Sequence, residues 1–115
     1  MNLLLIILVG SGGAIGALLR YEISGILPVW HDLPVGTLLV NFTGSLMLSV
    51  LTFGHNPIPY FLDAGILGGY TTFSTFSYES FRLLEQGENI TFFLNILLSL
   101  LLCGTGVIIG KWIMI

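Results

Sequence analysis

Charge is scarce in this sequence. Lys and Arg together number 3 and Asp and Glu number 6 among 115 residues, while hydrophobic residues make up 55% of the chain. A soluble domain of this size could not cover its surface with so few polar residues, so the composition predicts a membrane protein. With a net charge of −3, the chain has no basic patch for nucleic acid and no polybasic segment for anionic lipid.

Acidic residues are also missing from the middle of every long apolar segment. The second and fourth segments have none, the first has none before Glu22, and the third has none between Asp63 and Glu79. A transporter coupled to protons or other cations usually needs a carboxylate at mid-membrane depth. The absence argues against that class, and it is compatible with an anion path lined by neutral hydrogen-bond donors.

Residues that could support catalysis or ligate a metal through their side chains are few. Cys103 is the only cysteine, so an internal disulfide is excluded and a packing role is expected. His31 and His55 lie in separate predicted loops and lack the spacing of metal ligands. Because no nucleophile, base and orienting acid can be assembled, we expect that the protein is not an enzyme.

Four apolar segments account for nearly the whole chain, and each reaches the roughly 20 residues that a membrane-spanning helix needs. The sequence therefore predicts an all-α, multi-pass protein of the cell membrane, with one four-helix transmembrane domain over residues 1–115. Connections are expected near Pro28, at 54–59 and at 85–88, and Asn89 is expected to cap the last helix. The predicted spans are 3–27, 33–53, 60–84 and 89–114.

Basic residues divide almost evenly between the two predicted faces of the membrane. Short connections make neighbouring helices antiparallel, which places Arg20 and Arg82 on one side and Lys111 with the N-terminal amine on the other. The positive-inside rule then predicts only a weak preference for one membrane orientation. One interpretation is that the chain inserts in both orientations, or orients weakly and depends on a partner. The other is that a single basic residue determines its orientation.

Small residues recur four positions apart in three of the predicted spans. Such pairs allow the backbones of neighbouring helices to approach closely, so they predict helix packing. The pairs are Gly12/Gly16, Gly13/Ala17, Gly65/Gly69 and Gly106/Gly110.

The stretch from Gly68 to Phe76, GGYTTFSTF, lies inside the third predicted span although it contains helix breakers and hydroxyl groups. Irregular backbone at membrane depth is tolerated only where it is buried in protein or lines a watery or ion-occupied space. The stretch therefore predicts a break in the third helix and a transport function. A break at 68–72 would free backbone carbonyls, which suit a hard cation such as Na⁺.

Two kinds of neutral side chain could contact a permeating anion. Asn41 lies well inside the second span, where its amide either bonds a neighbouring helix or donates to an anion. Phe73 and Phe76 share a helix face and are either core residues or rings whose electropositive edges lie beside an anion. The same turn also carries hydroxyl donors, at Thr72, Ser74 and Thr75.

Charged residues lie near the ends of the first and third predicted spans. Glu79 and Arg82, three positions apart on one helix, form a local ion pair, or Glu79 belongs to a vestibule. Arg20 is expected to extend its charge to the membrane interface.

The residues now described resemble those of the CrcB/Fluc fluoride channels. Three segments carry the resemblance, and the four-span layout agrees over essentially the whole chain. They are GGAIGALLRY at 12–21, the segment from Gly36 to Gly44 with Val40 and Asn41, and the segment from Gly65 to Phe76 with its GGYTTFSTF motif.

This resemblance implies an antiparallel dimer with two fluoride pores and a central Na⁺ at the break in the third helix. Some members of the family are heterodimers of two paralogues, so the partner is either a second copy or a paralogue. By position, the implied fluoride-pore residues are Asn41, Phe73, Phe76, Ser74, Thr75 and Ser99, and the implied carbonyl ligands of Na⁺ are those of Gly68 and Thr71.

The sequence therefore predicts a fluoride-selective channel through which cytoplasmic fluoride leaves down its electrochemical gradient. Fluoride is strongly hydrated, so its pore must replace water with donors from Asn, Thr and Ser. One alternative is a pore-contributing or accessory subunit that works only with a paralogue. Another is a small multidrug-type transporter, which would need a carboxylate in the first span, where none precedes Glu22.

Overall fold

The computed structural model describes residues 2–54 and 59–115, and their regular structure is almost entirely helical. The only extended pairing among these residues is an isolated bridge between Trp30 and Leu33. The predicted loop at 54–59 lies partly outside the described residues, as does His55. The elements are α1 (Leu3–Ile26), α2 (Val35–Phe53), a π-helix (Phe61–Leu67), α3 (Gly68–Tyr70), α4 (Phe73–Glu85) and α5 (Asn89–Ile113).

Three of these helices, α1, α2 and α5, are long and apolar enough to cross a membrane. Their 24, 19 and 25 residues correspond to about 36, 28 and 38 Å at 1.5 Å per residue, against a hydrocarbon core of about 30 Å. The predicted all-α fold and the predicted ends of these three spans are confirmed to within two residues. The third predicted span consists instead of the π-helix, α3 and α4, with Thr71 and Thr72 outside helical structure.

The expectation that Asn89 caps the last helix is wrong. Asn89 is the first residue of α5, and Glu88 occupies the cap position without a side-chain hydrogen bond. The preceding turn explains the shift, because Gly87 has a φ of 78°. Its N–H donates to the Leu84 carbonyl, and the Glu88 N–H donates to the Leu83 carbonyl. This Schellman arrangement ends α4 and leads directly into α5 through backbone bonds.

Glycines set the close approach of the helices, as the small-residue pairs predict. A methyl group added to Gly65 would lie 3.1 Å from the Gly12 Cα, and one added to Gly69 would lie 2.9 Å from the Gly13 Cα. In the other helix pair, a methyl group on Gly106 would lie 3.0 Å from the Phe42 carbonyl oxygen. Helix α1 therefore packs on the third segment, which comprises the π-helix, α3 and α4, and α5 packs on α2. Both contacts bring backbone against backbone.

Two glycines of α5 provide a matched test of this packing. A methyl group at Gly110 would lie 2.7 Å from both the Leu46 carbonyl oxygen and the Ser49 Cβ, whereas one at Gly104 has nothing within 4 Å. We expect Gly110→Ala to lower the thermal unfolding midpoint of the purified protein, because α2 and α5 must separate. Gly104→Ala should leave the midpoint unchanged or raise it, since alanine favours a helix over glycine by about 1 kcal/mol. Equal midpoints for the two variants would contradict this packing.

Candidate functional site

The backbone leaves helical geometry at Thr71 and Thr72, between α3 and α4. Thr71 has φ −76° and ψ 155°, and Thr72 has φ −151° and ψ 117°. Thr72 is the N-cap of α4, where its Oγ1 accepts a hydrogen bond from the Thr75 N–H at 3.1 Å. A threonine hydroxyl is a favourable cap because it satisfies one of the free amides at a helix start.

The side chain of Asn41 pairs with the extended backbone of Thr72. Its Nδ2 donates to the Thr72 carbonyl at 2.9 Å, and its Oδ1 accepts from the Thr72 N–H at 2.8 Å. The interpretation that Asn41 bonds a neighbouring segment is therefore confirmed. An asparagine amide carries two N–H donors, and this pairing uses one of them. Donation to an anion stays a prediction.

Phe73 and Phe76 lie together beside a cavity of about 340 Å³. Their ring centroids are 5.6 Å apart, and the ring planes meet at 46°. Phe73 is 78% exposed, so the alternative that it belongs to the core of this chain is wrong, whereas Phe76 is half-buried. The cavity is lined by Asn41, Ser45, Leu48, Thr71, Thr72, Phe73, Phe76, Ser99, Leu100 and Cys103.

Four predicted pore residues, Asn41, Phe73, Phe76 and Ser99, are therefore brought to one cavity. The other two, Ser74 and Thr75, do not line it, but both contact the buried hydroxyl of Thr72, which does. Thr72 Oγ1 lies 3.2 Å from Ser74 Oγ and 3.0 Å from Thr75 Oγ1. Cys103, expected only to pack, also lines this cavity.

A second cavity has a volume of about 510 Å³. Thr72 lines both cavities and is 7% exposed. Thr72 is therefore a residue that the linings of the two cavities share. The second cavity is lined by Ala17, Arg20, Tyr21, Ser24, Gly25, Thr37, Thr72, Thr75 and Glu79.

The predicted ion pair between Glu79 and Arg82 is not formed. Glu79 Oε1 accepts a hydrogen bond from Thr37 Oγ1 at 2.9 Å, which draws the carboxylate toward α2. Arg82 instead lies with its guanidinium carbon 5.9 Å from the centre of the Tyr78 ring. Glu79 lines the second cavity, together with Arg20, which agrees with the vestibule interpretation of Glu79. The sequence offered no signal for Thr37, because its partner lies 42 positions away.

Asn95 is a polar residue of the site region that the sequence analysis missed. It is 1% exposed, and its Nδ2 donates to Ser80 Oγ at 2.9 Å. Ser80 Oγ in turn donates to the carbonyl of Phe76 at 2.7 Å. Asn95 thus contacts the helical turn that carries Phe76. An amide inside an apolar span was the available signal, the same one that identified Asn41.

Gly68 and Thr71, the predicted carbonyl ligands of Na⁺, lie at the two ends of α3. Gly68 is the first residue of α3 and is exposed. Thr71 follows the last residue of α3 and is half-buried. In the part of the chain that the structure describes, no three His, Cys, Asp or Glu side chains lie close enough to hold a metal ion.

Comparison with known proteins identifies the family. The family model described as CrcB-like protein, Camphor Resistance (CrcB), matches residues 7–111. The chain belongs to the CrcB family. Together with the three apolar helices, this membership makes it a multi-pass membrane protein, and the resemblance drawn from the sequence motifs is confirmed.

Several curated proteins are similar to this chain over nearly their full length. The Fluoride-specific ion channel FluC 3 of Methanosarcina acetivorans is 54% identical over 105 residues, which cover 90% of this chain and 95% of that protein. The Fluoride-specific ion channel FluC of Pyrococcus abyssi is 47% identical over 117 residues, 96% of this chain and 95% of its own length. The protein of that name from Methanocaldococcus jannaschii is 45% identical over 112 residues, 92% and 90% of the two chains.

Proposed function

We propose that this CrcB-family chain is a fluoride-selective channel through which cytoplasmic fluoride leaves the cell down its electrochemical gradient. The observation that supports it most is the cavity shared by Asn41, Phe73, Phe76 and Ser99, in a chain whose curated relatives are named fluoride-specific ion channels. This function requires no catalytic step, in agreement with the expectation that the protein is not an enzyme.

The proposed path runs between the two cavities, past Thr72. One cavity offers the amide of Asn41 and the hydroxyl of Ser99, and the other, which Arg20 also lines, offers the hydroxyl of Thr75 as a neutral donor. Such donors replace the water shell of fluoride without trapping the ion as a buried Lys or Arg would. The ring edges of Phe73 and Phe76 add weak, passable sites.

The proposed assembly is an antiparallel dimer in which the third segment crosses the membrane as one helix broken at Thr71 and Thr72. The exposure of Phe73 supports it, because a ring 78% exposed in a single chain is free to contact a second subunit. The even division of basic residues supports it as well. The partner is a second copy of this chain or a paralogue.

The residues at the break fit a bound Na⁺. In a continuous α-helix the Thr72 N–H would donate to the Gly68 carbonyl, and the Thr75 N–H to the Thr71 carbonyl. Here those N–H groups donate to Asn41 Oδ1 and to Thr72 Oγ1. The carbonyls of Gly68 and Thr71 have therefore lost their helical donors, and uncharged oxygens of this kind suit a hard cation. A bound Na⁺ would supply positive charge to these carbonyl oxygens.

The alternative functions differ in what they need from the chain. A small multidrug-type transporter needs a carboxylate in the first span, and membership of the CrcB family together with the absence of acidic residues before Glu22 argues against it. An accessory subunit that conducts only with a paralogue remains the second candidate, since the exposed Phe73 can face either partner.

The test is ion efflux from liposomes that contain only the purified chain. When a K⁺ ionophore removes the opposing voltage, we expect rapid release of fluoride and no release of chloride. The reason is that a path lined by neutral donors and ring edges favours the ion that accepts the strongest hydrogen bonds. Fluoride release only after addition of a paralogue would select the accessory-subunit alternative, and no release in either preparation would reject the channel.

A further inference from the structure

We propose that Asn41 is a positioning residue for the Gly68 carbonyl, and that the Thr72 side chain has the same role for the Thr71 carbonyl. The proposed anion path and the proposed cation site would then share one hydrogen-bond network. The inference rests on the proposed function in one respect, namely that the ion bound by these carbonyls is Na⁺.

The first step of the argument concerns Thr72 N–H. This N–H donates to Asn41 Oδ1 at 2.8 Å. In a continuous helix it would instead donate to the carbonyl four residues earlier, at Gly68. Thr72 is 7% exposed, so bulk water has little access to this N–H. Without the Asn41 amide, the Thr72 N–H must turn to Gly68 or stay unpaired at a free-energy cost.

The second step concerns the conformation of Thr72. Asn41 Nδ2 donates to the Thr72 carbonyl at 2.9 Å, and Asn41 Oδ1 accepts from the Thr72 N–H. A side chain that binds both groups of one residue acts as a neighbouring strand does, and it stabilises the extended ψ of 117°. Loss of these two bonds favours a helix that continues from α3 into α4, in which the Gly68 carbonyl is no longer available to an ion.

The third step repeats this logic at Thr71. The Thr75 N–H donates to Thr72 Oγ1 at 3.1 Å, which leaves the Thr71 carbonyl without its helical donor. Valine at position 72 keeps the branched shape of threonine but removes this acceptor, whereas serine retains it. The two substitutions at Thr72 therefore separate the hydroxyl from the bulk of the side chain.

The experiment measures the dependence of the thermal unfolding midpoint on Na⁺ concentration, with N-methylglucamine as the replacement cation. A ligand that binds only the folded protein raises the midpoint as its concentration increases. We expect stabilisation of the wild-type protein by Na⁺. Asn41→Leu and Thr72→Val should shift the concentration for half-maximal stabilisation upward by about tenfold or more, as loss of a buried hydrogen bond would. Thr72→Ser should restore the wild-type response.

Thr43→Val is the matched control, because Thr43 also reaches from α2 to the third segment. Its Oγ1 lies 2.9 Å from the Tyr70 hydroxyl but makes no contact with the backbone of Thr72. This variant should keep the wild-type Na⁺ response even if its overall stability is lower. Amide hydrogen exchange over 68–76, measured without Na⁺, should be slower in Asn41→Leu if α3 and α4 join.

Three outcomes would overturn the inference: an unchanged Na⁺ response in folded Asn41→Leu and Thr72→Val, an equal loss in Thr43→Val, or no Na⁺ response in the wild-type protein. Since valine keeps the branched shape of threonine and serine keeps its hydroxyl, a failure of Asn41→Leu to fold would still leave the comparison at position 72. Absence of fluoride efflux with the Na⁺ results intact would reject the proposed channel function alone.

Discussion

Replacing Phe76 or Phe73 with isoleucine is expected to reduce fluoride efflux from liposomes by about tenfold or more, which corresponds to about 1.4 kcal/mol at the barrier. The physical reason is the loss of the electropositive ring edge, since isoleucine keeps much of the apolar bulk and offers no quadrupole to an anion. Phe73 is 78% exposed, so its replacement removes little packing within this chain. Fluoride-electrode recordings on liposomes with equal protein content check the result.

A second aromatic pair supplies the control. The rings of Phe92 and Phe93 have centroids 5.1 Å apart at an interplanar angle of 67°, and neither residue lines the cavity beside Phe73. Phe93→Ile should therefore leave the efflux rate unchanged while making the same chemical change at an exposed position. Wild-type efflux from both Phe73→Ile and Phe76→Ile would show that these rings serve packing alone.

Cysteine labelling is expected to show the chain in both membrane orientations. In the variant Ile115→Cys with Cys103→Ser, a membrane-impermeant maleimide added outside sealed cells should label about half of the protein, because the basic residues give little net preference. Ile115 is 89% exposed, so its reactivity reports membrane side and not burial. The remaining half should react only after permeabilisation.

A charge reversal at one residue tests the cause of the proposed dual orientation. Glu88→Lys adds a positive charge at an exposed turn, on the predicted side of Arg20 and Arg82, and should move the labelled fraction well away from one half. If the unmodified chain has a single orientation and yet forms an active homodimer, the antiparallel assembly is wrong. A single orientation that conducts only with an oppositely oriented paralogue would instead indicate a heterodimer.

Features that depend on neighbours along the chain could be predicted from the sequence. The lengths of α1, α2 and α5 follow from continuous apolar runs that end at proline or polar turns. Thr71 and Thr72 are non-helical, at the end of the stretch 68–72 where irregular backbone was expected, whereas the Gly-Gly pair of that stretch lies in α3. Close helix contacts at Gly12 and Gly65 also follow from local spacing.

The choice of hydrogen-bond partners was decided only by tertiary structure. Sequence marked Asn41 as an intramembrane amide, yet its partner Thr72 lies 31 positions away, and the contact of Thr37 with Glu79 spans 42 positions. Arg82, three residues from Glu79, could have formed an ion pair with it, but the packing of the helices gave Glu79 a hydrogen bond from Thr37 instead. Periodicity and breaking residues act over a few positions, whereas a buried polar group bonds whatever the packing of the helices brings within about 3 Å.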